Sequence, residues 1–81
     1  VDGIDLMGNV CIANFDEIGV KQAMLQTAQR KVIVADHGKI GHAALVRICE
    51  MKDADTLITD DGISTERLKK LRKVARDIRL A

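Results

Sequence analysis

Val32-Ile33-Val34-Ala35-Asp36-His37-Gly38-Lys39-Ile40-Gly41 is the stretch on which the reading of this chain turns. Four apolar, mostly β-branched residues predict a buried strand, and the strand stops at an aspartate followed by a Gly-Lys-x-Gly loop. In open α/β sheets, ligands gather in crevices at the carboxyl ends of the strands. The loop places an acid, an imidazole and an ammonium at such an end. The pattern of strand, Asp and nearby Gly recurs ahead of it in Val1-Asp2-Gly3-Ile4-Asp5 and behind it in Thr56-Leu57-Ile58-Thr59-Asp60-Asp61-Gly62. One Asp-Gly is only a turn signal. Its recurrence points to polar groups collected along one edge of a sheet.

Length and composition bound what this edge can belong to. A chain of 81 residues holds at most one small domain. It would bury only about 60–65% of the surface that its unfolded form exposes. Hydrophobic residues make up 47% and charged residues 31%, the balance of a folded chain rather than a disordered one. Phe15 is the one aromatic and there is no proline, so Ile, Leu, Val, Met and Ala must form the core. A net charge of +1 argues against a strongly polyanion-binding surface. Cys11 and Cys49 stand far apart without a CxxC, and no apolar run approaches the ~20 residues of a membrane span. A reduced, cytoplasmic protein without a membrane partner is the expectation. The spacing of His37, His42, Cys11 and Cys49 matches no zinc pattern, so neither a metal nor a cofactor is expected. The chain starts at Val1, at what reads as the last residue of a strand, which leads us to expect a piece of a longer protein.

Along the chain, residues 1–14 are irregular, with Gly3 and Gly8 marking a loop and Val10-Cys11-Ile12 a short extended segment. Asn14 and Glu17 form a capping-box pattern that opens a helix over 15–30, with Val20, Met24 and Ala28 on one apolar face. A strand follows at 31–35. Residues 43–49 alternate like a strand, although a short helix is also compatible, and 52–55 is a charged turn. A strand at 56–59 leads to a Ser64-capped helix reaching about residue 75, with Leu68, Leu71 and Ala75 as its stripe, and a last strand at 77–80. Strands separated by helical segments predict an α/β fold with parallel crossovers. Arg67, Lys69, Lys70, Arg72, Lys73 and Arg76 crowd the second helix, where they read as a solvated face rather than a nucleic-acid contact.

Four of these motifs, in this order and spacing, resemble the C-terminal effector-sensing domain of the DeoR-type sugar-operon regulators. They are Asp2-Gly3-Ile4-Asp5; Asn14 to Lys21 leading into Ala23-Met24; Ala35-Asp36-x-x-Lys39-x-Gly41; and Asp55-Thr56-Leu57-Ile58-Thr59-Asp60. The match covers nearly the whole chain but only about the second half of such a domain. The resemblance implies a Rossmann-like, mostly parallel sheet with helices on both faces, similar in fold to type A ribose-5-phosphate isomerase and present here as a partial domain. It implies a transcriptional regulator, in expectation a repressor, whose effector is a phosphorylated sugar. Operator DNA would be bound by an N-terminal winged helix-turn-helix that this chain lacks, as it lacks the first half of the sensor. Homo-oligomers are expected in this family. The alternative is a sugar-phosphate isomerase-like enzyme on the same scaffold, which would need an acid and base tuned toward neutral pH.

Carried over by position, the resemblance implies ligand-binding roles for Asp2, Gly3 and Asp5 of the Asp-Gly-Ile-Asp loop. It implies the same for Glu17 and Lys21 at the start of the first helix, and for Asp36 and Lys39 of the Ala-Asp-x-x-Lys loop, with no catalytic residue. Carboxylates would accept from sugar hydroxyls and Lys39 would offer a point charge to the phosphate. The rival readings are plain: Asp2 and Asp5 as turn caps, Lys39 as a surface lysine, and Glu17 with Lys21 as an i,i+4 ion pair. Gly19 departs from the pattern, where many members carry a second glutamate, and Ala75-Arg76-Asp77 replaces a frequent glycine. The expected geometry places Asp2, Asp36 and Lys39 in one cleft with Lys21 facing it. Met24, Leu25, Leu68 and Leu71 should face the absent half or a partner subunit.

Overall fold

Two sheets of opposite character share the strands of this chain. The computed structural model describes residues 1–81. The strands are β1 (Gly3–Ile4), β2 (Asn9–Ile12), β3 (Val32–Val34), β4 (Val46–Glu50), β5 (Thr56–Thr59) and β6 (Ile78–Leu80). They divide into three-stranded sheets ordered β1-β2-β4 and β3-β5-β6. Helices α1 (Ile18–Thr27) and α2 (Thr65–Arg72) complete a small α/β unit, with single 3-10 turns at Phe15–Glu17, His37–Lys39 and Met51–Asp53. No helix is long and apolar enough to cross a membrane.

The β3-β5-β6 sheet is parallel, as the β-branched runs and their spacing predict. Ile33 lies opposite Leu57, and Leu57 opposite Ile78. That register sets the three side chains on one face, where Leu71 of α2 joins them in a core of 11 buried residues. The segment β5-α2-β6 is a βαβ unit. The Ser64 hydroxyl caps α2 by accepting from the Arg67 amide at 3.2 Å. The helix ends at Arg72, where a turn carries Val74 and Ala75 back toward Leu71 through their amides, so it stops short of residue 75.

The other sheet corrects the expectation of a mostly parallel arrangement. β1 and β2 form an antiparallel hairpin, and β4 pairs antiparallel with β2 instead of entering the parallel sheet. The hairpin is closed by Leu6-Met7-Gly8, in which Gly8 takes φ +94°. Asp5 at the first corner and a left-handed Gly three residues later are the chemistry of a three-residue loop. A two-residue β1 is too short to show alternation, so the sequence pattern passed for a loop. The connection from β3 to β5 runs through β4 of the antiparallel sheet rather than through a crossover helix. β1 also makes a parallel bridge to the loop after β3, between Ile4 and Ile40, both fully buried.

Helix α1 also departs from its expectation. The Asn14 side chain accepts from the Asp16 amide, two residues on, and this tightens 15–17 into a 3-10 turn before the α-helix begins. Only that half of the capping box forms, since Glu17 makes no side-chain cap bond. At the other end Thr27 Oγ1 bonds back to the Ala23 carbonyl at 2.9 Å and Ala28 turns extended. None of the residues of α1 is buried, and its apolar face stays in solvent, with Val20 65% and Met24 64% exposed. Leu71, expected on a free face, is instead sealed in the chain's own core, with Leu68 packed partly against it.

Candidate functional site

The carboxyl end of the parallel sheet is where the polar residues converge. Because β3 and β5 run side by side in register, their last residues deliver two loops to the same place. Past β3, Asp36 is extended and its Oδ1 accepts from the Gly38 amide at 2.9 Å, which folds His37–Lys39 into a 3-10 turn. Past β5 comes Asp60. Its Oδ1 accepts from the His37 amide at 2.7 Å, and its Oδ2 accepts from the Gly62 amide at 2.9 Å and lies 2.6 Å from His37 Nδ1. One carboxylate thus ties the two loops together. Gly62 makes the contact possible, since a Cβ there would stand 2.6 Å from Nδ1. Asp60 is held down at about 2, chiefly by the His37 amide; partial desolvation opposes this, and the ring of His37 and the Gly62 amide add to it.

The loop after β3 runs on beside β1. The Gly41 amide donates to the Ile4 carbonyl at 2.7 Å. Gly3 abuts the next residues so closely that a Cβ would come within 2.5 Å of the His42 carbonyl oxygen. The Asp-Gly-Ile-Asp segment and the end of the Asp-x-x-Lys loop are therefore neighbours. Asp5 and Asp2 nevertheless do not form one acidic pair. Three residues of extended chain separate them by about 10 Å, and each serves backbone locally. Asp5 accepts from the Met7 and Asn9 amides and from Asn9 Nδ2 at 2.8–3.0 Å. Burial alone would raise its pKa, and the bonds from Asn9, Met7 and Gly8 together bring it below the ordinary value. Asp2 accepts from the Ala13 amide at 2.8 Å through Oδ2.

Lys39 is half-buried and its ammonium makes no ion pair within the chain. Glu17 and Lys21 form no ion pair either, which removes the rival i,i+4 reading. Glu17 is exposed in the 3-10 turn. Lys21 lines a mostly apolar groove of about 410 Å³ between α1 and β3, together with Val1, Met24, Val32 and Val34. On the other flank of α1 lies a polar groove of about 510 Å³ lined by Gln22, Gln26, Lys31, Asp53 and Arg76 among others. Neither groove includes Asp36, Lys39, His37 or Asp60.

Two contacts were not legible in the sequence, although it marked the residues that make them. His37 and Asp60 are 23 positions apart, and only the parallel register of β3 and β5 makes them partners. Arg67, counted with the solvated basic face, donates from Nη1 to the Ile40 carbonyl at 2.9 Å. Gly41 was the available signal, because a glycine at φ +92° there leaves room for the guanidinium. The cysteines offer no nucleophile. Both are free, and burial together with Asp53 pushes the Cys49 thiol up to about 11. No group of three or more His, Cys, Asp or Glu side chains is placed to hold a metal ion.

A family model for the DeoR C terminal sensor domain matches residues 1–61. Among curated proteins, the chain is 34% identical over 78 residues to a protein of Escherichia coli O157:H7 named as an aga operon transcriptional repressor, covering 96% of this chain and 29% of that protein. It is 33% identical over 61 residues to the glycerol-3-phosphate regulon repressor of Haemophilus influenzae, covering 75% of this chain and 24% of that one. It is 35% identical over 51 residues to the HTH-type transcriptional repressor GlcR of Bacillus subtilis, covering 63% of this chain and 20% of that one. The chain therefore spans less than a third of the length of these relatives. With residues 1–61 of 81 matched, the chain belongs to the DeoR family, within its C-terminal sensor domain, a domain of transcriptional regulators and not of enzymes.

Proposed function

We propose that the chain is part of a sensor that binds a phosphorylated sugar at the carboxyl edge of the parallel sheet, and that binding changes the parent repressor's affinity for operator DNA. The observation that carries the reading is the meeting of an unpaired cation, Lys39, with the Asp36 and Asp60 loops at adjoining strand ends. An ammonium supplies a point charge for a phosphate, and carboxylates accept from sugar hydroxyls. Asp2, Gly3 and Asp5 would border this edge, a reading supported by the contacts of Gly3 and Ile4 with residues 40–44. In the parent, the first half of the sensor would complete a Rossmann-like sheet, a winged helix-turn-helix would hold the operator, and protomers would associate. One of the relatives carries glycerol 3-phosphate in its name, which makes small polyol phosphates a first candidate beside the sugar phosphates.

The ligand acts only through a difference in affinity between two conformations. Linkage requires operator DNA to change sugar affinity by the same factor by which sugar changes DNA affinity. The test measures binding of ribose 5-phosphate and glycerol 3-phosphate to the full-length protein, with and without operator DNA. At least one should bind, Lys39→Ala should weaken it tenfold or more, and DNA should shift it. Equal sugar affinities with and without DNA would exclude the regulatory role.

A further inference from the structure

We infer that His37 contacts the sugar directly, its Nε2 taking a hydroxyl of the ligand, and that Asp60 is the positioning residue that aims the ring. The inference rests on the sugar-phosphate reading above and adds to it a residue that fixes which sugar is accepted.

Asp60 holds His37 twice, by the amide at 2.7 Å and by the ring at 2.6 Å, so backbone and imidazole share one anchor. A carboxylate only accepts, so Nδ1 carries the hydrogen of this bond and Nε2 is the ring nitrogen left to meet a ligand hydroxyl. Nε2 makes no hydrogen bond within the chain, and the side chain remains 54% exposed at the edge where β3 and β5 end. This is more order than an exposed ion pair ordinarily keeps, since such a pair gains little by itself. The Gly62 amide and its missing Cβ both serve the arrangement. A separate feature lies one residue upstream of Asp60. The Thr59 hydroxyl is buried and has no partner, a rare condition for a native interior.

The charge around the ring selects the ligand group. Asp36, Asp60 and Asp61 share the two loops with His37, and Lys39 is the one lysine or arginine on them. His42 follows on the β3 side, and Arg67 of α2 is engaged with the Ile40 carbonyl. The Asp60 carboxylate, 2.6 Å from the ring, disfavours a phosphate dianion there but not a neutral hydroxyl. Lys39, two residues on, is left for the phosphate.

The experiment compares wild type, His37→Asn and His37→Gln in the full-length protein, with ribose 5-phosphate and inorganic phosphate as probes. Asparagine carries its amide nitrogen where the ring has Nδ1, so it keeps the link to Asp60 and deletes Nε2. Glutamine places a polar group near the Nε2 position. The asparagine variant should bind ribose 5-phosphate about tenfold more weakly, with an unchanged melting temperature and unchanged affinity for inorganic phosphate. The glutamine variant should recover part of the loss. In ¹⁵N-labelled wild type, the His37 Nε2 resonance should move on adding ribose 5-phosphate. In Asp60→Asn the ring should reverse its tautomer, because the amide donates to Nδ1, and affinity should fall. Wild-type affinity in His37→Asn, or an Nε2 resonance that stays in place, reduces His37 to a clasp and overturns the inference. An equal loss for inorganic phosphate overturns the hydroxyl assignment. A wild-type protein that binds no sugar phosphate overturns the underlying reading, and this inference with it.

Discussion

Arg67, in the first turn of α2, reaches across Gly41 to donate to the Ile40 carbonyl at 2.9 Å. Gly41 at φ +92° gives up the space, since a Cβ would sit 2.9 Å from the guanidinium carbon. The contact clamps the loop after β3 to the helix after β5, at the residue that bridges to Ile4 of β1. Gly41→Ala should cost about 1–2 kcal/mol, the penalty of a side chain in left-handed backbone. Arg67→Ala should cost less. Urea denaturation of the single and double variants checks this. The double variant should be less destabilised than the sum, because removing Arg67 removes the clash but not the backbone strain.

Leu71 is fully buried and Met24 is 64% exposed, so the two residues give opposite expectations. Leu71→Ala should destabilise the isolated chain by about 2–5 kcal/mol. Met24→Ala should stay within about 0.5 kcal/mol there. If the groove beside α1 is covered in the longer parent, Met24→Ala should become clearly destabilising when denaturation is repeated on the full-length protein.

Acid should loosen the Asp60 clasp. A carboxylate held at about 2 when folded and near its ordinary ~4 when unfolded releases its proton more readily in the folded state. Between these values the unfolded chain binds more protons, so stability is complete above about pH 4 and is lost as pH falls toward 2. Asp5, also lowered, acts in the same sense. Denaturation midpoints measured from pH 6 to 2 should fall, and Asp60→Asn should flatten that descent.

Gly62→Ala should break the His37–Asp60 bond while leaving the fold intact. A Cβ there would meet Nδ1 at 2.6 Å and Asp60 Oδ2 at 2.7 Å, so the flexible ring moves away. The downfield Nδ1 proton resonance of His37 should disappear, and the acid dependence should weaken only in part, because the His37 amide still holds Asp60 low.

Cys49 should be slow to alkylate. A thiol pushed up to about 11 is ionised in about one molecule in a thousand at pH 8. Iodoacetamide labelling followed by mass spectrometry should show little modification at Cys49 unless urea is added.

Local chemistry made much of the chain legible. The β-branched runs around Ile33 and Leu57, and the Ser64 hydroxyl three residues before the Arg67 amide, carry their meaning within a few positions, and strands β3, β5 and β6 and the start of α2 followed from them. The four motifs in register pointed to the family for the same reason: short spacings survive where a fold reuses its loops. Asp36 also capped its turn as a local Asx residue does.

Tertiary structure decided what depends on distant partners. Val46–Glu50 alternates as a strand would in either sheet, and only the presence of the β1-β2 hairpin beside it makes it antiparallel. Whether an apolar helical stripe is core depends on what stands opposite. Leu71 found Leu57 and Ile78 there, whereas Met24 found an open groove. Asp60 looked like the end of a strand until the register of β3 and β5 brought His37, 23 residues away, onto its carboxylate. Propensity is a property of neighbouring residues, but burial, pairing and the shared use of one carboxylate by two loops belong to the packed chain as a whole.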